Sequence, residues 1–352
     1  MMYLRLSILA FLFSISSLSA QNDFEDNFNK GKEQFDKQKY NEAIGFFNDA
    51  LKHRDKAKNN YRIVAAMQAK AYSYMYMKKY PPAIKEIKEA IELKPEFGDL
   101  YYSITMIYLR NKQYDDCIEW ASRGLAIKPE FEELFLLRAA AKSEKKQFKE
   151  ACIDFDSVLM INPRNMQALY SMSATKSTMK LYEEAIKYSD RAIEIDAQDP
   201  AAFYNRAISK AYLKDFVGSM ADMERGMSVD STTRWTGYNN IAYFINLEQK
   251  DYKGALKYFD DAIKLNPEFA YAYSNRGFTK TKLGDFKGAR KDLEKSLLMD
   301  PANSYAYKNL ALLLIAEGKE AKACEQLKKA VELGYSIEYD DEVDVLLKQY
   351  CK

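Results

Sequence analysis

An aromatic residue followed three places later by a small one recurs along almost the whole chain. The pairs are Tyr40/Ala43, Tyr80/Ala83, Tyr114/Cys117, Phe148/Ala151, Tyr182/Ala185, Phe216/Ser219, Tyr252/Ala255 and Phe286/Ala289. Six of the seven steps between them are 34 residues or within two of it, and the first is 40. A fixed period of this length means one supersecondary unit stacked into an array, not a globule around a single core. Arrays present surface and rarely perform chemistry, so the function expected here is binding.

Each unit carries more of the pattern. Seven residues after the small position comes a second one: Ala50, Ala90, Gly124, Val158, Ala192, Gly226, Ala262 and Ser296, with Ala330 in a ninth unit. About nine residues before each aromatic lies a third: Gly31, Ala71, Thr105, Ala139, Ser173, Ala207, Ala242, Gly277 and Ala311. Two amphipathic helices per unit explain the spacing, because small residues let helix axes approach closely. Pro95, Pro129, Pro163, Pro267 and Pro301 then close several units. Proline has no N–H and cannot continue a helix, so it ends one unit and admits the next.

These residues resemble the tetratricopeptide repeat, a 34-residue helix–turn–helix with small residues and a proline at fixed places. The resemblance covers residues 24–337 as nine repeats: 24–57, 64–97, 98–131, 132–165, 166–199, 200–233, 235–269, 270–303 and 304–337. It implies an all-α fold, a right-handed superhelical solenoid, closed here by a capping helix over 338–352. The family serves many partners, so the resemblance is specific for fold and not for function.

Two departures from the period stand out. About six residues are inserted around Lys56–Ile63. Two more appear between the sixth and seventh units, one near Arg234–Trp235 and one in the turn before Tyr252, which puts Ala242 at the small position. The junction from Ser231 to Gly237 lacks the proline. It reads either as a flex point between a six-unit and a three-unit block or as an irregular loop in one continuous superhelix.

The first twenty residues are different material. Arg5 supplies positive charge, Leu6 to Leu18 is an apolar run with serines, and Leu18-Ser19-Ala20 offers small residues before Gln21. This is the layout of a secretory signal peptide, residues 1–20, cleaved after Ala20. A span needs about 20 apolar residues, and this run is shorter; an uncleaved inner-membrane anchor is the alternative. A periplasmic or secreted protein is therefore expected. With 53 basic and 51 acidic residues interspersed, no basic stripe for nucleic acid is present. The Lys, Asn and Tyr abundance resembles exported repeat proteins of the Bacteroidetes.

Candidate chemistry is sparse. His53 lies between Lys52 and Arg54 at a helix end and has no visible catalytic partner. No Cys/His spacing suits zinc, and no glycine-rich phosphate loop is present. Acidic pairs such as Asp115-Asp116 fall at helix starts, where they favour the dipole. Neither enzymatic activity, a metal nor a cofactor is expected. Cys117 and Cys152 read as small buried fillers. Cys324 opens the second helix of the ninth unit, and Cys351 ends the cap. Consecutive helices run antiparallel, so the two cysteines approach each other, and an oxidising compartment would join them.

One stripe points outward from this frame. The fifth position of the first helix reads Tyr102, Leu136, Tyr170 and Tyr204 in units three to six. The resemblance places that position on the concave side, with Tyr243, Tyr271 and Phe278 as neighbours. Tyrosine suits peptide contact, having a rigid apolar body and a hydroxyl. The same rings could instead pack between first helices. The reading is an exported scaffold that takes a protein or peptide partner in its groove. The alternatives are a structural or assembly subunit of a cell-envelope machine, or a regulatory module for a separate enzyme. No nucleic acid and no small-molecule substrate is expected.

Overall fold

The computed structural model describes residues 23–57, 59–247, 250–338 and 341–351. The expected signal peptide lies outside them. All regular structure among the described residues is helical. The chain divides into two compact units, Met1–Ile161 and Asn162–Lys352. The stretch from Ser231 to Gly237 lies inside the second.

The first unit holds α1 (Asp23–Asp36), α2 (Tyr40–Lys52), α3 (Asn60–Tyr76), α4 (Tyr80–Leu93), α5 (Gly98–Arg110), α6 (Tyr114–Ile127), α7 (Glu132–Glu144) and α8 (Phe148–Ile161). The residues inserted before α3 include a single 3-10 turn, Arg54–Lys56. The second unit holds α9 (Met166–Thr178), α10 (Tyr182–Ile195), α11 (Pro200–Tyr212), α12 (Phe216–Val229), α13 (Arg234–Asn240), α14 (Tyr252–Leu265), α15 (Ala270–Lys282), α16 (Phe286–Met299), α17 (Ser304–Ala316) and α18 (Glu320–Glu332). Its cap is α19 (Tyr335–Glu338) and α20 (Glu342–Tyr350), both packed on α18. Within each unit a helix packs on its successor, giving stacked helical hairpins in the manner of a solenoid.

The small residues sit where the helices cross. Ala43, Ala83, Cys117, Ala151, Ala185, Ser219, Ala255 and Ala289 are all fully buried, as are Ala71, Ala139, Ala207, Ala242 and Ala311. At Gly124 even a methyl is too much: a Cβ there would lie 2.6 Å from Leu134 and from Tyr101.

The turn inside each hairpin is set by one residue in the left-handed region. Lys78, Lys112, Lys146, Lys180, Lys214 and Lys250 have φ between 59° and 65°, and Gly284 and Gly318 take the same place in the last two hairpins. The N–H of the following residue reaches five back, as in Lys79 to Tyr74 and Asp285 to Lys280, at 2.9 Å. This is the Schellman end, which satisfies carbonyls that the finished helix leaves open.

Alternate hairpins differ in what holds them. The residue just before the small position of the first helix runs Lys70, Ile104, Arg138, Met172, Arg206, Ile241, Arg276. The residue three after the small position of the second helix runs Glu86, Trp120, Asp154, Tyr188, Asp222, Tyr258, Asp292. Basic–acidic hairpins thus alternate with apolar–aromatic ones. Arg138 grips Asp154 through two bonds of 2.7 and 3.0 Å, Arg206 grips Asp222 at 2.6 and 2.9 Å, and Arg276 grips Asp292 at 2.7 and 2.8 Å. Lys142, Lys210 and Lys280 join the same carboxylates. Each arginine also reaches back into the preceding hairpin, to Ser122, Asp190 and Asp260. Planar, two-pronged guanidinium binding suits this bridging role.

The irregular seventh hairpin is taken up by the helices themselves. A 3-10 turn, Ser231–Thr233, runs straight into α13, and α13 continues as a π-helix, Ile241–Leu247. The wider π turn absorbs extra length without breaking the helix. Ala242 remains fully buried, against Ala255 and Phe259.

Candidate functional site

The first helices of the last four hairpins, with Lys214, Tyr252 and the cap, line an open cavity of about 270 Å³. α11 contributes Tyr212, the π turn Tyr243 and Phe244, α15 Phe278, and α17 Tyr305 and Lys308; Tyr335 and Glu342 close it from the cap. The π turn therefore does more than absorb length: it points two adjacent aromatic residues into one wall. Phe244 meets Tyr243 and Tyr212 edge-on, at 4.9 and 5.4 Å between ring centroids. Tyr305 lies parallel to Tyr335 at 6.2 Å.

Lys308 is the charge at the centre. It is 4% exposed, and its Nζ stands 4.5 Å from the Tyr305 ring, 5.6 Å from Phe278 and 5.8 Å from Tyr335. Ring faces attract a cation, most strongly where water is excluded. Glu342 pairs with Lys308 at 3.1 Å and also accepts from the Tyr335 hydroxyl at 3.5 Å. The Tyr305 hydroxyl donates to that of Tyr243 at 3.3 Å, and burial holds the Tyr305 pKa well above the ordinary phenol value. The arrangement can bind and orient a carboxylate next to flat apolar groups. Among the described residues no cluster of His, Cys, Asp and Glu is placed to hold a metal ion.

Of the residues singled out in sequence, Tyr243 and Phe278 come together in this cavity. Tyr204 packs over Gly226, whose Cβ would lie 2.8 Å from its ring. Tyr271 stands at 41% exposure beside Phe269. Tyr170 is half-buried, and its hydroxyl has no hydrogen-bond partner among the described residues. In the first unit Tyr102 stacks on Phe131 at 6.0 Å, with its hydroxyl pKa raised by burial, and Leu136 is half-buried on α7. Lys308 and Glu342 were not anticipated. Lys308 holds the same place in its hairpin as Tyr102, Leu136, Tyr170 and Tyr204, so one charge interrupting that stripe was the available signal.

Cys324 and Cys351 meet at the far end of the cap, with Cα atoms 5.3 Å apart, inside the range of about 4.4–6.8 Å that a disulfide spans. Cys117 and Cys152 are buried elsewhere, and burial pushes the Cys117 thiol up to about 12. Among the described residues no helix is long and apolar enough to cross a membrane.

Comparison with known proteins agrees with this architecture. Tetratricopeptide-repeat profiles match residues 64–97, 167–199, 236–269 and 281–334. A tetratricopeptide repeat protein from Parabacteroides merdae is similar in fold, with a TM-score of 0.56 at 17% identity over 82% of this chain and 99% of that one. A monomeric IFIT1 mutant with m7Gppp-AAAA gives 0.56 at 13% identity, over 94% of this chain and 82% of that one. The APC/C hetero-tetramer Cut9-Hcn1 gives 0.54 at 11% identity, over 94% and 76%. No curated protein sequence matches. With the hairpin period, the buried small positions and these profiles in agreement, the chain belongs to the tetratricopeptide-repeat family.

Proposed function

We propose that this protein is an exported scaffold that docks a peptide segment of a protein partner on the first-helix surface of its second unit. The observation that supports this most directly is the aromatic cavity around Lys308. Ligand sites are concave and mostly apolar, with few polar groups to fix orientation. Repeats of this family serve protein–protein interaction, and an extended segment crossing several hairpins would meet Tyr243, Phe278 and Tyr305 in succession. Selection of random peptides by display on the purified chain tests the reading. Peptides that carry an acidic residue beside an aromatic one are expected, and Phe278→Ala should abolish their binding while leaving the circular dichroism unchanged. Selected peptides indifferent to Phe278→Ala would place docking elsewhere.

Export rests on the leader-like first twenty residues, and a Cys324–Cys351 disulfide accords with it. The chain recovered from its native cell should begin at Gln21. Peptide mapping without reduction should show Cys324 joined to Cys351, with Cys117 alkylated only after unfolding. An intact Met1 on a cytoplasmic pool would reject export.

A second reading, a structural subunit that contacts neighbours through outer helices, is favoured by apolar side chains on second helices. Val217 and Met160 are each 84% exposed and Leu298 77%. Val217→Ser and Leu298→Ser would then reduce capture of a partner from the envelope, and Phe278→Ala would not.

A further inference from the structure

We propose that the outer face of α6 and α8, in the first unit, docks a protein partner through Arg138, which takes a carboxylate from an acidic, apolar-flanked segment of that partner. The inference stands apart from the cavity around Lys308.

The chain itself shows how a carboxylate sits at this place. Arg206 sends its Nη1 back to Asp190 at 2.7 Å, and Arg276 sends its Nη1 back to Asp260 at 2.7 Å. The same atom of Arg138 meets the Ser122 hydroxyl at 2.8 Å, and all three contacts span 16 residues. Ser122 on α6 therefore holds the position of Asp190 and Asp260 without their charge. In the two later hairpins an arginine and a lysine face two aspartates: Arg206 and Lys210 face Asp222 and Asp190, and Arg276 and Lys280 face Asp292 and Asp260. Arg138 and Lys142 share Asp154, and among the described residues no second carboxylate lies within pairing distance of either. Both cations are largely withdrawn from water, at 19% and 16% exposure. Charge held there with one carboxylate too few attracts another.

The place it would take is open. Asp190 is 45% exposed and Asp260 61%, so a carboxylate can reach the guanidinium from outside. The Ser122 hydroxyl now donates to the Ile118 carbonyl at 2.8 Å and can turn to donate to an incoming oxygen. Guanidinium binds carboxylates in a fixed, planar geometry.

The flanks identify the carrier as protein. Ile153, directly before Asp154 on α8, is 64% exposed, and Met160, two turns further along the same face, is 84% exposed. At the place of Ile153 the two later hairpins carry Ala221 and Lys291. A large apolar side chain thus stands in water beside the one arginine that lacks its second aspartate. An acidic residue with an aliphatic neighbour satisfies both.

Display of random peptides on the full-length Phe278→Ala chain, which sets cavity binders aside, tests this. Peptides with Asp or Glu beside an aliphatic residue are expected. Synthetic fluorescein-labelled copies, followed by anisotropy, should bind Ser122→Asp about tenfold more weakly, because the new carboxylate occupies Arg138 as Asp190 occupies Arg206. Ser122→Ala should leave their affinity unchanged, and Met160→Ser should lower it. Ser122→Asp completes the pattern of the later hairpins, so its melting temperature should not fall, which separates blocked docking from misfolding. Peptides that bind Ser122→Asp as tightly as the parent, or no acidic peptides at all, would overturn the proposal. A melting temperature raised by inorganic phosphate in the parent and not in Ser122→Asp, without such peptides, would make this an ion site and overturn the partner.

Discussion

Six lysines and one glutamine, Gln38, hold left-handed backbone at the hairpin turns, where glycine would sit without strain. A side chain there costs roughly 1 kcal/mol relative to glycine, because Cβ crowds the carbonyl. Gly284 and Gly318 show that the same turn accepts glycine in this chain. Lys180→Gly is therefore expected to stabilise the protein by about 0.5 kcal/mol, the steric relief exceeding the added freedom of the unfolded chain. Chemical denaturation of the variant checks the sign. A loss of stability would mean that the Lys180 side chain contributes more through its surroundings than its backbone costs.

At the scale of the element, second helices of the later hairpins begin with a matched pair. Asp215, Asp251 and Asp285 accept from the N–H of Gly218, Gly254 and Gly288, each at 2.9 Å. A Cβ on Gly254 would come within 2.1 Å of the Asp251 carboxylate, so cap and glycine belong together. Asp251→Ala should cost about 1 kcal/mol. Deeper in the same helix, Ala255 is fully buried against Ala242 and Phe259, and Ala255→Leu should cost about 1–3 kcal/mol by overpacking. Thermal melts of both variants measure this, and a neutral Ala255→Leu would contradict the close crossing of α13 and α14.

The helices and their crossings were legible in the sequence because both depend on residue size and backbone geometry, which recur with the period. Ala185, Ala207 and Ala311 announce contacts wherever they occur. The cavity was only half legible. Tyr243 and Phe278 each follow the small position of their first helix, a place the period marks, whereas Lys308 and Glu342 are single charges 34 residues apart that meet only when the cap folds back. The alternation of hairpins was present in sequence too, but it lies one residue before the small position of the first helix and three after that of the second, and it repeats only at twice the period. Pattern reading at 34 residues averages it away.

For the molecule as a whole, that alternation makes the double hairpin the natural step of the array. Arg276 ties its own hairpin to the one before it through Asp260. Deleting 270–303 would remove Arg276, leave Asp260 without it and set two hairpins with apolar first-helix residues, Ile241 and Leu310, side by side. Deleting 234–303 takes out more chain yet leaves the charged Arg206–Asp222 hairpin followed by one with an apolar first-helix residue, Leu310, as it was by Ile241. The larger deletion is expected to melt at or above the temperature of the smaller one. Nearest-neighbour energetics with identical interfaces would give the opposite order, since stability then falls with each unit lost. Two neighbouring variants measured by calorimetry decide between them.

The same seam gives the chain a kind of parity. Recombination between repeats that slips by one would join like to like and leave an aspartate such as Asp260 without its arginine, whereas a slip of two heals without trace. Length in such a lineage would drift in even steps, and an odd-numbered newcomer would carry its mismatch as an instability that selection could act on.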